Sequence, residues 1–350
     1  MPRSLYFTEP RAVEVHERER RDPEEGEVRV GVERSAVSPG TELLVYRGEV
    51  PTEMAADATI DALADTFEFP LRYGYAAVGR VEAVGPSVDS AWLDRRVFGF
   101  NPHESHFCAP VEDVLAVPED CSATEATYLP NVETAVNLVQ DGAPRLGERA
   151  VVFGQGVVGL LTTALLGRFP LAELVTLDRY PDRRELAREL GADAALDPEG
   201  DAGERLRDRL GTAGEPEECC DPDDGDVAGA DLTYELSGCP DALDSAIAAT
   251  GYDGRVVVGS WYGTKPTELD LGGRFHRSRV SVESSQVSTI SPDLRGRWSK
   301  ERRLDVAWNR LCEVDVERFV THEFDIEDAA AAYELLDERP DEALGVVFEY

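Results

Sequence analysis

Gly154-Gln155-Gly156-Val157-Val158-Gly159 lies between a short β-branched stretch, 151–153, and a long apolar run, 157–166. A strand before and a helix after give a G-x-G-x-x-G pattern its meaning. Gly154 permits the tight turn, Gly156 lets backbone approach a pyrophosphate, and Gly159 allows close helix-on-sheet packing. Phosphates would then meet the free N–H groups and positive dipole at the helix start. Asp178 ends the next expected strand, 174–178, where a carboxylate can grip a ribose diol. Its charge would repel a 2′-phosphate and so favours NAD. Arg179, with Arg183 and Arg184 nearby, could accommodate NADP instead.

Working outward, expected strands at 149–153, 174–178, 231–236 and 255–258 alternate with helices at 157–166, 181–190 and 240–250. Such alternation predicts a parallel sheet covered by helices. An acidic loop, 197–229, should hold one amphipathic helix at 204–210. Upstream the chain is β-rich, with strands at 13–15, 27–32, 77–84 and 96–98 and turns at Ser38-Pro39-Gly40 and Asn101-Pro102. An acidic helical insert is expected over 54–67. Ser122-Ala-Thr-Glu125 has the form of a capping box, with a second helix at 131–139. The tail mixes helices at 300–312 and 326–336 with a last strand at 345–349. The predicted division is 1–121 with 296–350 as one domain and 122–295 as the other.

The chain has 350 residues, 42% hydrophobic, enough to bury two cores. Its formal net charge is -35, and of its 35 basic residues only Lys265 and Lys300 are not arginine. Acid spread along a lysine-poor chain suits a salt-rich cytoplasm, where charge keeps protein soluble. Nucleic acid is disfavoured as a partner, because phosphate contacts need a basic face. No stretch has the length of a membrane span, and the first residues lack the apolar run of a signal peptide. Cys108, Cys121, Cys219, Cys220, Cys239 and Cys312 form no C-x-x-C pair, and buried, reduced thiols are expected.

Further motifs carry a resemblance. Pro39-Gly40-Thr41-Glu42 resembles the Cys-Gly-Thr/Ser-Asp turn of the medium-chain dehydrogenase/reductase family. Gly74-Tyr75-Ala76-Ala77-Val78-Gly79-Arg80-Val81 resembles its Gly-His-Glu-x-x-Gly-x-Val segment. The likeness extends over nearly the whole chain. It implies an α/β fold: a GroES-like β-rich catalytic domain with an inserted Rossmann domain, a doubly wound parallel sheet. Tyr46-Arg47-Gly48, Trp261-Tyr262-Gly263 and Ser284-Ser285-Gln286 are most similar to the bacteriochlorophyllide a dehydrogenase-like branch. That branch oxidises a hydroxyethyl side chain on a macrocycle and includes many members of unassigned substrate.

The departures from the family point away from its metal. Pro39 stands where zinc members have cysteine, Tyr75 where they have histidine, and Pro130-Asn131 near the third ligand position. None of these is a good zinc ligand. Only Cys108 lies in the region of the family's four-cysteine lobe. His103-Glu104-Ser105-His106-Phe107-Cys108 keeps one metal option open, since Glu104, His106 and Cys108 would share a face of a strand. A polar pocket wall with a buried thiol is the preferred reading.

By family position Thr41 is the proton-relay hydroxyl, and Tyr75 faces the substrate oxygen as acid–base group or as space-filler. Lys265 is a candidate cation near the nicotinamide end or an incidental loop lysine. Phe100, Asn101 and His103 correspond to the substrate-pocket segment, with His103 alternatively structural. Thr134, Ser237, Gly259 and Ser260 join the cofactor site by position. The resemblance thus implies an NAD(P)-dependent dehydrogenase of a secondary alcohol, working without zinc on a small molecule as a homodimer. A zinc-free quinone or enoyl reductase, and a non-catalytic dinucleotide-binding protein, are the alternatives.

Overall fold

The computed structural model describes residues 1–53, 66–211 and 229–350. The helix expected over 54–67 falls mostly outside the described residues, as do much of the acidic loop and Cys219 and Cys220. The chain forms two compact units: a β-rich one, Met1–Pro130 with Trp308–Tyr350, and a nucleotide-type one, Asn131–Ala307.

In the β-rich unit, β1 (Arg3–Glu9) and β2 (Ala12–Glu17) make an antiparallel pair. A second sheet contains β3 (Glu27–Ala36), β4 (Ala77–Val84), β5 (Arg96–Gly99), β6 (His106–Pro110) and β7 (Val114–Ala116). The chain's last strands, β14 (Val320–Asp325) and β15 (Gly345–Glu349), extend it to the order β14-β15-β3-β4-β5-β7, with β6 also on β3. Val28, Val30, Val32, Ala77, Val81, Val97 and Phe107 pack as one apolar cluster. Each valine or phenylalanine side chain withdrawn from water there contributes about 2 kcal/mol.

Ser38-Pro39-Gly40, expected as a turn, instead opens the helix α1 (Pro39–Arg47). Proline suits the first helical position because its missing N–H needs no partner there. The Glu42 carboxylate reaches back to the Ser38 N–H at 2.7 Å, and Gly48 closes the helix in the left-handed conformation. The expected capping box is present: Ser122 Oγ accepts from Glu125 N–H, and the Glu125 carboxylate accepts from Ser122 N–H. It starts the short helix α2 (Ala123–Ala126), which packs on β3 and β4 and so belongs to the β-rich unit.

The other unit holds β8 (Arg149–Phe153), β9 (Glu173–Leu177), β10 (Ala194–Leu196), β11 (Ala230–Glu235), β12 (Thr250–Val258) and β13 (Ser281–Ser284). All pair in parallel in the order β10-β9-β8-β11-β12-β13. This is the doubly wound arrangement, and the strand order reverses direction between β8 and β11. Its helices are α3 (Leu129–Gly142), α4 (Val157–Leu166), α5 (Pro181–Glu189), α6 (Ala202–Leu210), α7 (Pro240–Ala249), α8 (Arg274–Arg277) and α9 (Lys300–Leu311). Helices α3 and α9 each carry the chain across a unit boundary. Within the nucleotide unit they are tied by Arg303, fully buried, which pairs with Glu133 at 2.8 Å and donates to Asn137 Oδ1 at 2.5 Å. The last helix of the chain, α10 (Ala329–Glu338), lies in the β-rich unit. No described helix is long and apolar enough to cross a membrane.

Candidate functional site

The glycine turn has the geometry the sequence asks for. Gly154 sits at φ +89°, and a Cβ there would come within 2.5 Å of the Ser237 backbone. At Gly159 an added Cβ would lie 2.0 Å from the Gly154 carbonyl oxygen, so the helix can approach only with glycine. Gly156, the N-cap of α4, faces open space. Val157 and Val158 form the first turn of α4. Together with Asp178 these features fit a dinucleotide: close backbone, free helix N–H groups and a carboxylate beyond the next strand.

Asp178 does more than the sequence suggests. Its Oδ2 accepts from Gln155 N–H at 2.7 Å and its Oδ1 from Tyr180 N–H at 2.9 Å, so it anchors the turn itself. Gln155, fully buried, locks the turn to α4 through Thr163 Oγ1. Of the neighbouring arginines, Arg184 donates to the carbonyls of Asp178 and Arg179 and pairs with Asp197 at 3.0 Å. Arg183 lies over the Tyr180 ring, and Arg179 is exposed.

Across the switch point, β11 ends in Glu235, fully buried and in register with Phe153 of β8. Its carboxylate accepts from Ser237 N–H at 2.8 Å, from Ser237 Oγ–H, and from the Tyr262 hydroxyl at 2.5 Å. Burial first, then this carboxylate, holds the Tyr262 phenol well above its ordinary pKa. The Glu235 carbonyl accepts from Gly259 N–H, and Ser260 Oγ accepts from Gly238 N–H. Lys265 Nζ donates to the Gly238 carbonyl at 2.8 Å. Ser237, Gly259, Ser260 and Lys265 are thus brought together around a residue that sequence reading passed over. Its one signal was position, an acid between Tyr234 and Leu236 in an expected strand. Thr134 lies on α3, half-buried.

In the β-rich unit the Tyr75 hydroxyl donates to Thr41 Oγ1 at 3.4 Å, and both side chains are partly exposed. This contact is loose for two hydroxyls, whose usual separation is about 2.7–2.8 Å. One residue on, Glu42 is fully buried, and its Oε2 accepts from His103 Nε2 at 3.0 Å and from the Tyr333 hydroxyl. His103 Nδ1 bonds Ser35 Oγ at 2.7 Å, and Ser35 Oγ bonds the Tyr350 hydroxyl at 2.7 Å. His103 is itself fully enclosed. Phe100 meets Phe98 edge-on, with ring centroids 4.9 Å apart. Asn101 is buried and donates to Glu104 Oε1 at 2.9 Å.

The expected common face of Glu104, His106 and Cys108 does not form, because β6 begins only at His106. Glu104 instead pairs with Arg72 at 3.0 Å and Arg18 at 3.3 Å. His106 faces Glu82 at 3.7 Å, and Cys108 Sγ–H lies 3.7 Å from the Arg21 carbonyl. Among the described residues no group of three or more His, Cys, Asp or Glu could hold a metal ion. The motif positions Pro39 and Tyr75 supply no zinc donor either, so these residues do not fit that metal. The expectation of buried thiols holds for Cys121, whose pKa burial pushes up to about 12, and fails at the other described cysteines: Cys239 and Cys312 are exposed and Cys108 is half-buried.

Residues 157–302 match the zinc-binding dehydrogenase family model. D-guloside 3-dehydrogenase of Escherichia coli (strain K12) is 25% identical, covering 99% of this chain and 100% of the relative. Among solved structures, an alcohol dehydrogenase of E. coli CFT073 complexed with NADH superposes with a TM-score of 0.77 at 20% identity, covering 100% and 99% of the two chains. The 2R,3R-butanediol dehydrogenase of Bacillus subtilis does so at 0.77 and 18%, with full coverage of both at 100%. The glycine turn on a doubly wound sheet, the second β-rich unit and the full-length similarity to these dehydrogenases agree with the resemblance to the medium-chain dehydrogenase/reductase family.

Proposed function

We propose that this protein is an NAD-dependent dehydrogenase of a secondary alcohol, carried on a sugar-like ring, and that it works without catalytic zinc. The observation that carries the reading is the Thr41–Tyr75 hydroxyl pair, which stands where zinc relatives place a metal ligand. A full-length relative that oxidises a guloside at a ring carbon supports the substrate class. Gly154, Gly156, the start of α4 and Asp178 would hold the dinucleotide, with the Asp178 charge disfavouring a 2′-phosphate. Held there, the dinucleotide would supply the hydride acceptor for the carbinol carbon.

The protein's own task is the proton. A substrate hydroxyl entering the loose Thr41–Tyr75 contact replaces it with two shorter hydrogen bonds. Its proton passes to one of these oxygens as that hydroxyl hands its own proton on toward solvent, and with the loss of hydride from the carbinol carbon a ketone is left. Phe100 lines the apolar side of the substrate's surroundings. Lys265, bonded to Gly238, acts on the nucleotide side. We place the protein in a salt-rich cytoplasm, consistent with its charge of -35.

Following NADH formation with cyclic polyols, glycosides, simple secondary alcohols, quinones and enones in molar KCl tests the reading. Oxidation of ring alcohols, undiminished by chelators, is expected. Activity confined to quinones or enones, or stoichiometric zinc lost to EDTA along with activity, would overturn it.

We further propose a homodimer through β13. That strand is one edge of the parallel sheet, and its side chains are exposed, including Val282. An edge of this kind readily pairs with a second copy. Scattering in high salt should give twice the 38.4 kDa chain mass.

A further inference from the structure

The β-rich unit has a cavity of about 420 Å³ between the start of β2, helix α1 and the last turns of α10. Neither Thr41 nor Tyr75 lines it. Ala12, Val13 and Ala330 give it an apolar side, and Glu334, Asp337 and Glu338 an acidic one. The end of α10 is a poor place for three acids, because the helix dipole there favours cations and carboxylates four residues apart repel. Asp337, whose side chain is 6% exposed, is satisfied: Arg11 Nη1 and Arg47 Nε each donate to it at 2.6 Å. Glu334 and Glu338 are exposed and have no ion-pair partner among the described residues. At formal charge the lining holds three carboxylates against one guanidinium, that of Arg11.

A phenol faces the same cavity. Tyr46, only 7% exposed, lines it with its ring stacked on Tyr333, 5.5 Å between centroids. Its hydroxyl has no hydrogen-bond partner among the described residues. A buried polar group left in this way costs free energy unless something in the cavity meets it. Burial first, then the Asp337 carboxylate, raises its pKa above the ordinary phenol value, so it remains a hydroxyl able to donate and accept. We propose that this cavity binds a small aliphatic amine in its ammonium form, a short diamine best of all. The ammonium N–H groups bond the Glu334 and Glu338 carboxylates and the Tyr46 oxygen, while the methylene stem lies against Val13 and Ala330. A diamine suits because the two unpaired carboxylates stand one helical turn apart, so that two ammonium groups can address them separately. A bare metal ion fits poorly, since these acids do not converge as a metal-holding group. The site lies wholly within the β-rich unit and does not depend on the proposed dehydrogenation.

The experiment is calorimetric titration of the full chain with 1,4-diaminobutane, at the lowest KCl that keeps it folded by circular dichroism. One site per chain is expected, with 1-aminobutane weaker and uncharged 1,4-butanediol unbound. Glu334→Gln combined with Glu338→Gln should weaken binding by about 10-fold or more, the loss of two charge-assisted hydrogen bonds. Tyr46→Phe should weaken it by about 5-fold, because one neutral partner is removed. The matched control is Glu204→Gln with Asp208→Asn, an exposed pair four residues apart on α6. It deletes the same charge and should leave the affinity unchanged. Equal weakening by the control pair would mean a general attraction to the acidic surface, and would overturn the inference. Butanediol binding as tightly as the diamine would reduce the site to an apolar cleft and overturn it too, as would a titration that never saturates. If the Glu334–Glu338 double variant does not fold, Tyr46→Phe decides: unchanged affinity in that variant overturns the inference.

Discussion

In the nucleotide unit, Asp178 reaches the glycine turn over a separation of 23 residues, and the turn's shape rests on glycines and one helix start. In the β-rich unit, Glu42 gathers His103 from 61 residues away and Tyr333 from 291. The first site is mostly backbone, fixed by local dihedrals and one close helix–strand approach. The second is a convergence of side chains from distant segments, correct only when the whole unit has folded. The difference teaches where each site is vulnerable. The turn is sensitive to added atoms, whereas the polar cluster is sensitive to a lost partner.

The sharpest way to break this contrast is to remove His103. His103→Leu keeps much of the volume but takes a donor from the enclosed Glu42 carboxylate and leaves Ser35 with one partner fewer. Breaking such a buried pair costs about 3 kcal/mol. Denaturant unfolding monitored through the β-rich unit's tyrosines should show a loss of that size, with NADH affinity in the remaining folded fraction close to wild type. A stability change under about 0.5 kcal/mol would mean the cluster is not held by mutual pairing.

Tyr75→Phe comes next, because it asks whether the exposed part of that region does chemistry or fills space. The ring stays and only the hydroxyl bonded to Thr41 is lost. If it handles the proton, turnover falls by roughly 10²-fold with nucleotide affinity unchanged. Near-normal turnover would transfer the task to Thr41.

How much was legible beforehand follows the same contrast. Strands β4, β8 and β15 and helix α4 have the expected bounds, because uninterrupted apolar or alternating runs set them. The turn after β8 was equally plain, since glycine at positive φ is written in the residue itself. Helix α1 was not. Ser-Pro-Gly signals a turn locally, and the carboxylate that converts it to a helix start is itself held by residues far along the chain. Glu235 escaped for a related reason: an acid at a strand end looks solvated until the covering tyrosine, 27 residues later, is in place.

Asp178→Ser sharpens the comparison on the nucleotide side with a smaller effect. The carboxylate bonds Gln155 N–H and Tyr180 N–H, and on the proposed reading it also repels a 2′-phosphate. Serine can replace only one of those acceptors. NAD affinity should therefore fall, while the NADP-to-NAD preference rises about 10-fold with Arg179 left in place. An unchanged preference would limit Asp178 to bracing the turn.

The smallest effect should be the one that treats both regions alike. A formal charge of -35 repels itself in any folded state, and neither site is built to offset it. Raising KCl should therefore raise the thermal midpoint without separating the units' responses, by roughly 5 °C if screening recovers one to two kcal/mol. The shape of the curve identifies the cause. The Debye length falls from about 10 Å at 0.1 M to about 3 Å at 1 M, so a screening effect is largely spent by then. Stabilisation by solute exclusion instead keeps growing with concentration. A midpoint that climbs steeply below 1 M and then flattens places the salt requirement in the acidic surface. A flat response at all concentrations would mean that repulsion among the unpaired surface carboxylates costs the fold nothing measurable.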